Sequence, residues 1–166
     1  MELVVTVLAD DRPGVVEQVS AVVAAHLGNW QDSRMAHLAG KFAGIIAVAV
    51  PDARADALQR HLMALDGIVV HVAAAAERGV PATSRHTLQV LANDRPGIVA
   101  EVSRALAAMG ANVAELSTSV EAASMSGGVV FRAFLDIGLP PDRPLEVIIA
   151  GLELLSDDLM IDVLEA

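Results

Sequence analysis

Cysteine is absent from the 166-residue chain, which excludes disulfide bonds, thiolate metal sites and thiol nucleophiles. Aromatic residues make up only 2% of the chain, so no surface for stacking unpaired bases is expected. Basic residues are also few: 11 Lys and Arg stand against 21 Asp and Glu, for a formal net charge of −10. This acidic balance argues against direct binding to nucleic acid or to an anionic membrane surface.

Long hydrophobic runs are missing as well, because none approaches the roughly 18 residues of a membrane-spanning helix. The first residues carry no positive segment, and Asp10, Asp11 and Arg12 end the first apolar stretch. We therefore expect no secretory signal and a cytoplasmic protein. With 54% hydrophobic residues and a mean hydropathy of +0.53, the chain is expected to bury a core rather than remain disordered.

One motif occurs twice. Asp11-Arg12-Pro13-Gly14 returns 83 residues later as Asp94-Arg95-Pro96-Gly97. When 7–29 is placed on 90–112 without a gap, 13 of 23 positions are identical. Two homologous domains are the simplest explanation.

The hydrophobic pattern changes in the same order in both halves, which sets the domain boundaries. We predict one domain over 1–76, a linker over 77–84, which contains Gly, Pro, Ser and Thr, and a second domain over 85–166. Each half alternates as a strand, continues at helical spacing after Pro-Gly, forms two extended stretches, and ends in a helix and a strand. Proline in the first helical turn and capping carboxylates at Asp52 and Asp142 are expected to start the helices.

This βαββαβ order predicts an α+β fold of two ferredoxin-like units, each an antiparallel four-stranded sheet with both helices on one face. The other face of each sheet is left bare. Pairing of the two halves or of two chains is expected to cover it, and we expect a homo-oligomer.

The repeated loop allows two interpretations. The first-turn amides of the following helix can hold an anion such as a carboxylate, with glycine permitting close approach. Alternatively, the loop is a tight turn in which Asp caps the helix. Asn29 and Asn112, at the start of the second strand of each half, could bind a carboxylate and an ammonium group, or could belong to ordinary turns after a helix.

These features in this order resemble the ACT domain, a small-molecule regulatory module of amino-acid metabolism, and the resemblance covers both halves. The segment Asn29–Ala36, with Gly40-Lys41-Phe42 after it, more narrowly resembles the glycine cleavage system transcriptional repressor family. The family commonly has Asn-Ile-x-Asp-Ser-Arg at this place. Some ACT ligand sites have Asn where this chain has Asp11 and Asp94.

The resemblance implies a small amino acid, glycine or serine first, bound between two ACT units. By position, backbone amides would bind the carboxylate, Asp side chains would line the loop, and Asn side chains would bridge the interface. The implied ligand-binding residues are Asp11, Gly14, Val15, Asn29, Asp94, Gly97, Ile98 and Asn112. The implied partner is a regulatory protein such as a DNA-bound transcription activator.

Motifs of catalysis are missing from the sequence. It contains no Gly-x-Gly, no phosphate-binding loop, no His-Glu-x-x-His and no Gly-x-Ser-x-Gly. We therefore expect no enzyme activity, no cofactor and no metal site. Two rival functions stay open, namely a ligand-free ACT oligomerisation module and a detached regulatory subunit of an enzyme of amino-acid metabolism.

Overall fold

The computed structural model describes residues 1–76, 84–122 and 128–164. The chain divides into two compact units, Met1–Arg78 and Gly79–Ala166, hereafter the first and second domains. Residues 77–83 of the predicted linker lie outside the described residues, and Ser84 is the first residue of a strand. The linker therefore stays a prediction.

Both domains have the predicted βαββαβ order, and the fold class is confirmed. The elements of the first domain are β1 (Glu2–Asp10), α1 (Val15–Ala25), β2 (Asn29–Leu38), β3 (Lys41–Ala49), α2 (Asp52–Met63) and β4 (Ile68–Ala74). Those of the second are β5 (Ser84–Asn93), α3 (Ile98–Ala108), β6 (Asn112–Ala122), β7 (Val129–Leu139), α4 (Leu145–Glu153) and β8 (Met160–Leu164).

Each domain contains one antiparallel sheet, with the order β2-β3-β1-β4 in the first and β6-β7-β5-β8 in the second. Alternate residues of each central strand are buried, since successive side chains point to opposite faces. On β1 these include Val5 and Val7, which join Val19 of α1 and Leu58 of α2 in one hydrophobic core. The second domain repeats the arrangement, so each pair of helices covers one face of its own sheet.

The outer sheet faces differ between the domains. In the first sheet, Leu8, Ile45 and Val69 share the outer face by register and are 46%, 48% and 69% exposed. In the second, Asp136 and Asp162 share that face with Phe134 and Met160, which are 38% and 62% exposed. In the described part of the chain, no helix is long and apolar enough to cross a membrane.

The starts of the helices correct two sequence expectations. Pro13 and Pro96 do not lie in the first helical turn, because the N-cap residues are Gly14 and Gly97, with φ of 94° and 96°. A residue in the left-handed region cannot belong to the helix, so each helix begins only after its glycine.

The expected capping carboxylates were also wrong. Pro51 and Pro144 occupy the N-cap positions of α2 and α4, without a side-chain cap. Asp52 is the first helical residue, and its carboxylate contacts the amino group of Met1 at 2.6 Å, which lowers the pKa of Asp52. Asp142 precedes α4 by three residues, because the extended backbone of Pro144 delays the helix.

Candidate functional site

The first loop connects β1 to α1 and leaves helix amides accessible. The backbone N–H of Asp11 donates to the carbonyl of Gly40 at 3.0 Å, which fixes the start of the loop beside the β2–β3 turn. The first helical hydrogen bond runs from the N–H of Gln18 to the carbonyl of Gly14 at 2.9 Å. Amides before Gln18, including that of Val15, therefore have no acceptor inside the helix.

An open groove of about 510 Å³ lies against this loop. Three predicted site residues, Asp11, Gly14 and Val15, line it together. The side chain of Val15 is buried in the core, so a ligand could reach only its backbone. Residues not predicted for the site complete the lining: Arg12, Val16, Glu17, Ser20 and Phe42.

The groove carries charges of both signs. Arg12 donates from Nη2 to the carbonyl of Asp66 at 3.3 Å. A carbonyl carries no formal charge, so this bond does not neutralise the guanidinium of Arg12. Asp11 Oδ2 lies 3.4 Å from Nε2 of His37. No side chain, Asp11 included, caps α1. The cap proposed in the tight-turn interpretation is therefore absent from this helix.

The second loop has the same backbone but different electrostatics. The N–H of Asp94 donates to the carbonyl of Val129 at 2.9 Å. Arg95 donates two hydrogen bonds, of 2.7 and 2.6 Å, to the carboxylate of Glu101. This pairing lowers the pKa of Glu101 and raises that of Arg95. In the first domain the position that matches Glu101 is Gln18, which cannot neutralise Arg12.

The predicted asparagines do not join the loop of their own domain. Asn29 pairs with Ala49 at one end of β3, whereas Asp10, beside the loop, pairs with Lys41 at the other end. The two ends are roughly 27 Å apart at about 3.4 Å per residue. Asn112 is placed in the same way, because it pairs with Gly138 while Asn93 pairs with Val130.

In the second domain, Asp94, Gly97 and Ile98 remain together at the loop. Gly97 is the N-cap of α3, and Ile98 is buried, so only its backbone can contact a ligand. Within the residues the structure describes, no group of three or more His, Asp or Glu side chains is arranged to hold a metal ion.

Comparison with known families decides what this fold is. Residues 2–66 and residues 86–149 each match an ACT domain model. The chain belongs to the ACT domain family. It is a tandem ACT protein, with one ACT domain in each half.

Solved structures agree with this assignment. The chain is similar to an unknown protein from Galdieria sulphuraria, with 31% identity, a TM-score of 0.85, and coverage of 99% of this chain and 98% of that one. It shares the fold of a candidate glycine cleavage system transcriptional repressor, with 18% identity, a TM-score of 0.69, and coverage of 98% and 95%. No curated protein sequence matches it significantly.

The sequence missed five groove residues, namely Arg12, Val16, Glu17, Ser20 and Phe42. Arg12 could have been found, because it lies inside the repeated motif. Six residues after Arg12 the sequence has Gln18, whereas six residues after its counterpart Arg95 it has Glu101. Phe42 could not, because it reaches the groove only through the antiparallel pairing of β3 with β1.

Proposed function

We propose that this tandem ACT protein is a non-catalytic sensor that binds a small amino acid in the groove of the first loop. Family membership supports a regulatory role in amino-acid sensing. The observation that carries the proposal is the groove at Asp11, Gly14 and Val15, where first-turn amides lack an acceptor inside the helix and Arg12 shares the lining. Its volume falls within the range of small-molecule sites.

The charges of the groove suit an amino-acid zwitterion. Amides of the first helical turn and the guanidinium of Arg12 favour the carboxylate. Asp11 and Glu17 favour the ammonium group, so the aspartate at the position where some ACT ligand sites have Asn acts as a partner of the cation. Glycine or serine fits the proposal best, and a ligand of about five heavy atoms is not expected to bind much tighter than micromolar.

We assign the ligand to the first loop rather than the second. Arg95 is held by both oxygens of Glu101, so a ligand carboxylate would have to displace a bidentate ion pair. Arg12 donates to the neutral carbonyl of Asp66 rather than to both oxygens of a carboxylate, and is easier to recruit. Asp94, Gly97 and Ile98 therefore form the weaker site in this proposal.

Asn29 and Asn112 would contact the ligand only from a neighbouring ACT domain, because each lies at the far end of its own sheet. We propose a homo-oligomer, supported by the exposed apolar side chains on the outer face of the first sheet. Sedimentation velocity across a concentration series tests this association, and a monomer at every concentration would contradict it.

The proposed output is a change in contacts with a regulatory protein, such as a DNA-bound transcription activator, in the cytoplasm. Ligand can shift such contacts only if it binds one arrangement of the protein better than another. The protein itself would not bind DNA.

Thermal unfolding with millimolar amino acids tests ligand binding. Ligand at about 100 times its Kd stabilises the folded state by roughly 2.7 kcal/mol. Gly14→Asp should abolish the shift, while the matched Gly97→Asp variant should retain it. No shift with any amino acid would favour a ligand-free oligomerisation module. A shift without any change in activator binding would favour the regulatory subunit of an enzyme.

A further inference from the structure

A partly enclosed cavity of about 140 Å³ lies inside the second domain and reaches the first turn of α3. It is bounded by Val99 and Val102 of α3, Val113 and Leu116 of β6, and Phe131 of β7. Its lining is apolar except for one hydroxyl. That hydroxyl, of Ser103, already donates to the carbonyl of Ala100 at 3.4 Å within the helix.

In the first domain, the counterparts of Val99, Ser103 and Phe131 are Val16, Ser20 and Phe42, which line the open groove at the first loop. Larger side chains stand at two other matching positions. Trp30 stands where the second domain has Val113, and Met35 stands where it has Thr118. Both pack against the first core. Met35 Cγ lies 2.6 Å from the point where a Cβ on Gly44 would stand, so its side chain takes up the room above β3. The two copies have therefore diverged at these positions.

We propose that the cavity is a binding site for a small uncharged apolar group, up to about the size of a benzene ring. Apolar cavities of roughly 150 Å³ stay dry and bind benzene. This cavity has the same character, because its walls offer water no free polar partner. A charged or strongly polar ligand would lose its hydration without compensation.

Two sources share this chemistry: a free apolar metabolite and the side chain of an apolar amino acid. Leu116, one of the lining residues, is 44% exposed, so solvent reaches part of the lining. The site does not depend on the loop groove. Gly14→Asp is expected to leave it unchanged, so failure of either proposal can be recognised separately.

Methyl NMR of the full chain, titrated with benzene, tests the proposal. We expect saturable shifts at the methyl groups of Val99, Val102 and Leu116. Val113→Trp, which introduces the residue of the first domain, should abolish them. Leu116→Phe, at a half-exposed lining position, is the milder filling variant and guards against misfolding. Ser119→Trp, on the same strand but on the opposite face of the sheet by its pairing with Arg132, is the matched control and should retain them.

Titrations with toluene, leucine and phenylalanine identify the source. Saturation by toluene but not by either amino acid would support a free apolar ligand. Saturation by leucine or phenylalanine at the same methyl groups would support an amino-acid side chain. Absence of saturable shifts up to the solubility of benzene, or shifts that persist in both filling variants, would overturn the proposal.

Discussion

Replacing Gly14 with alanine tests the loop that carries the proposed site. Gly14 has φ of 94°, and a Cβ placed there would find its nearest contact, Gln18 Nε2, at 3.6 Å. There is room for the methyl group, so the penalty comes from the left-handed backbone alone. That conformation costs a residue with a side chain roughly 1–2 kcal/mol.

Fluorescence can follow this change in the first domain, because Trp30 is the only tryptophan and packs against the first core. A penalty of that size lowers the Tm of a domain of this length by roughly 4–16 °C. Val16→Ala, a partly exposed position in the same first turn, is the control and should shift the Tm by much less. If Gly14→Ala melts like the control, the loop tolerates a side chain and the argument for its glycine is wrong.

Three further substitutions test the account. Glu101→Gln removes the partner of Arg95. Since the pairing lowers the pKa of Glu101, the pair stabilises the folded protein at pH values above the ordinary pKa of a glutamate, and this stabilisation is lost on acidification. The Tm of the unaltered chain should thus fall more than that of the variant between pH 7 and pH 3.5, and parallel profiles would contradict the pairing. Leu58→Ala, at a fully buried position, should lower the free energy of unfolding by about 3–5 kcal/mol in urea titrations; a loss below about 1 kcal/mol would contradict its burial. His61→Ala removes the 2.7 Å hydrogen bond to buried His26 and should lower the free energy of unfolding by about 1–3 kcal/mol. His61→Gln can still form a hydrogen bond to His26 and should recover part of that loss. Equal Tm values for the two variants would argue against the hydrogen bond.

Most of the fold could be predicted from the sequence, because the signals that specify it are local. The alternation at Leu3, Val5 and Val7 and the helical spacing from Val15 to Val23 identify β1 and α1 directly. Duplication then supplies an independent copy of each pattern. The helix starts were less accurate, since the left-handed glycine of each loop displaces the helix beyond the proline.

The candidate site was less predictable, because it depends on pairing between distant segments. Asp11, Gly14 and Val15 could be grouped from one motif. Whether Asn29 lies near them depends on the direction of β2 in the sheet, which places it at the opposite end. The cavity above β7 was invisible for a similar reason, because it results from the joint volumes of side chains on α3, β6 and β7.

Isothermal titration with glycine and serine, comparing Arg12→Gln with the matched Arg95→Gln, tests the central claim most directly. A charged hydrogen bond to a carboxylate contributes about 1.5–3 kcal/mol, so Arg12→Gln should weaken binding by roughly 10- to 150-fold. Arg95→Gln should leave the affinity unchanged, because Glu101 already occupies that side chain. Equal loss in both variants would contradict the assignment to the first loop, and no heat of binding for either amino acid to the unaltered chain would contradict the proposed ligands.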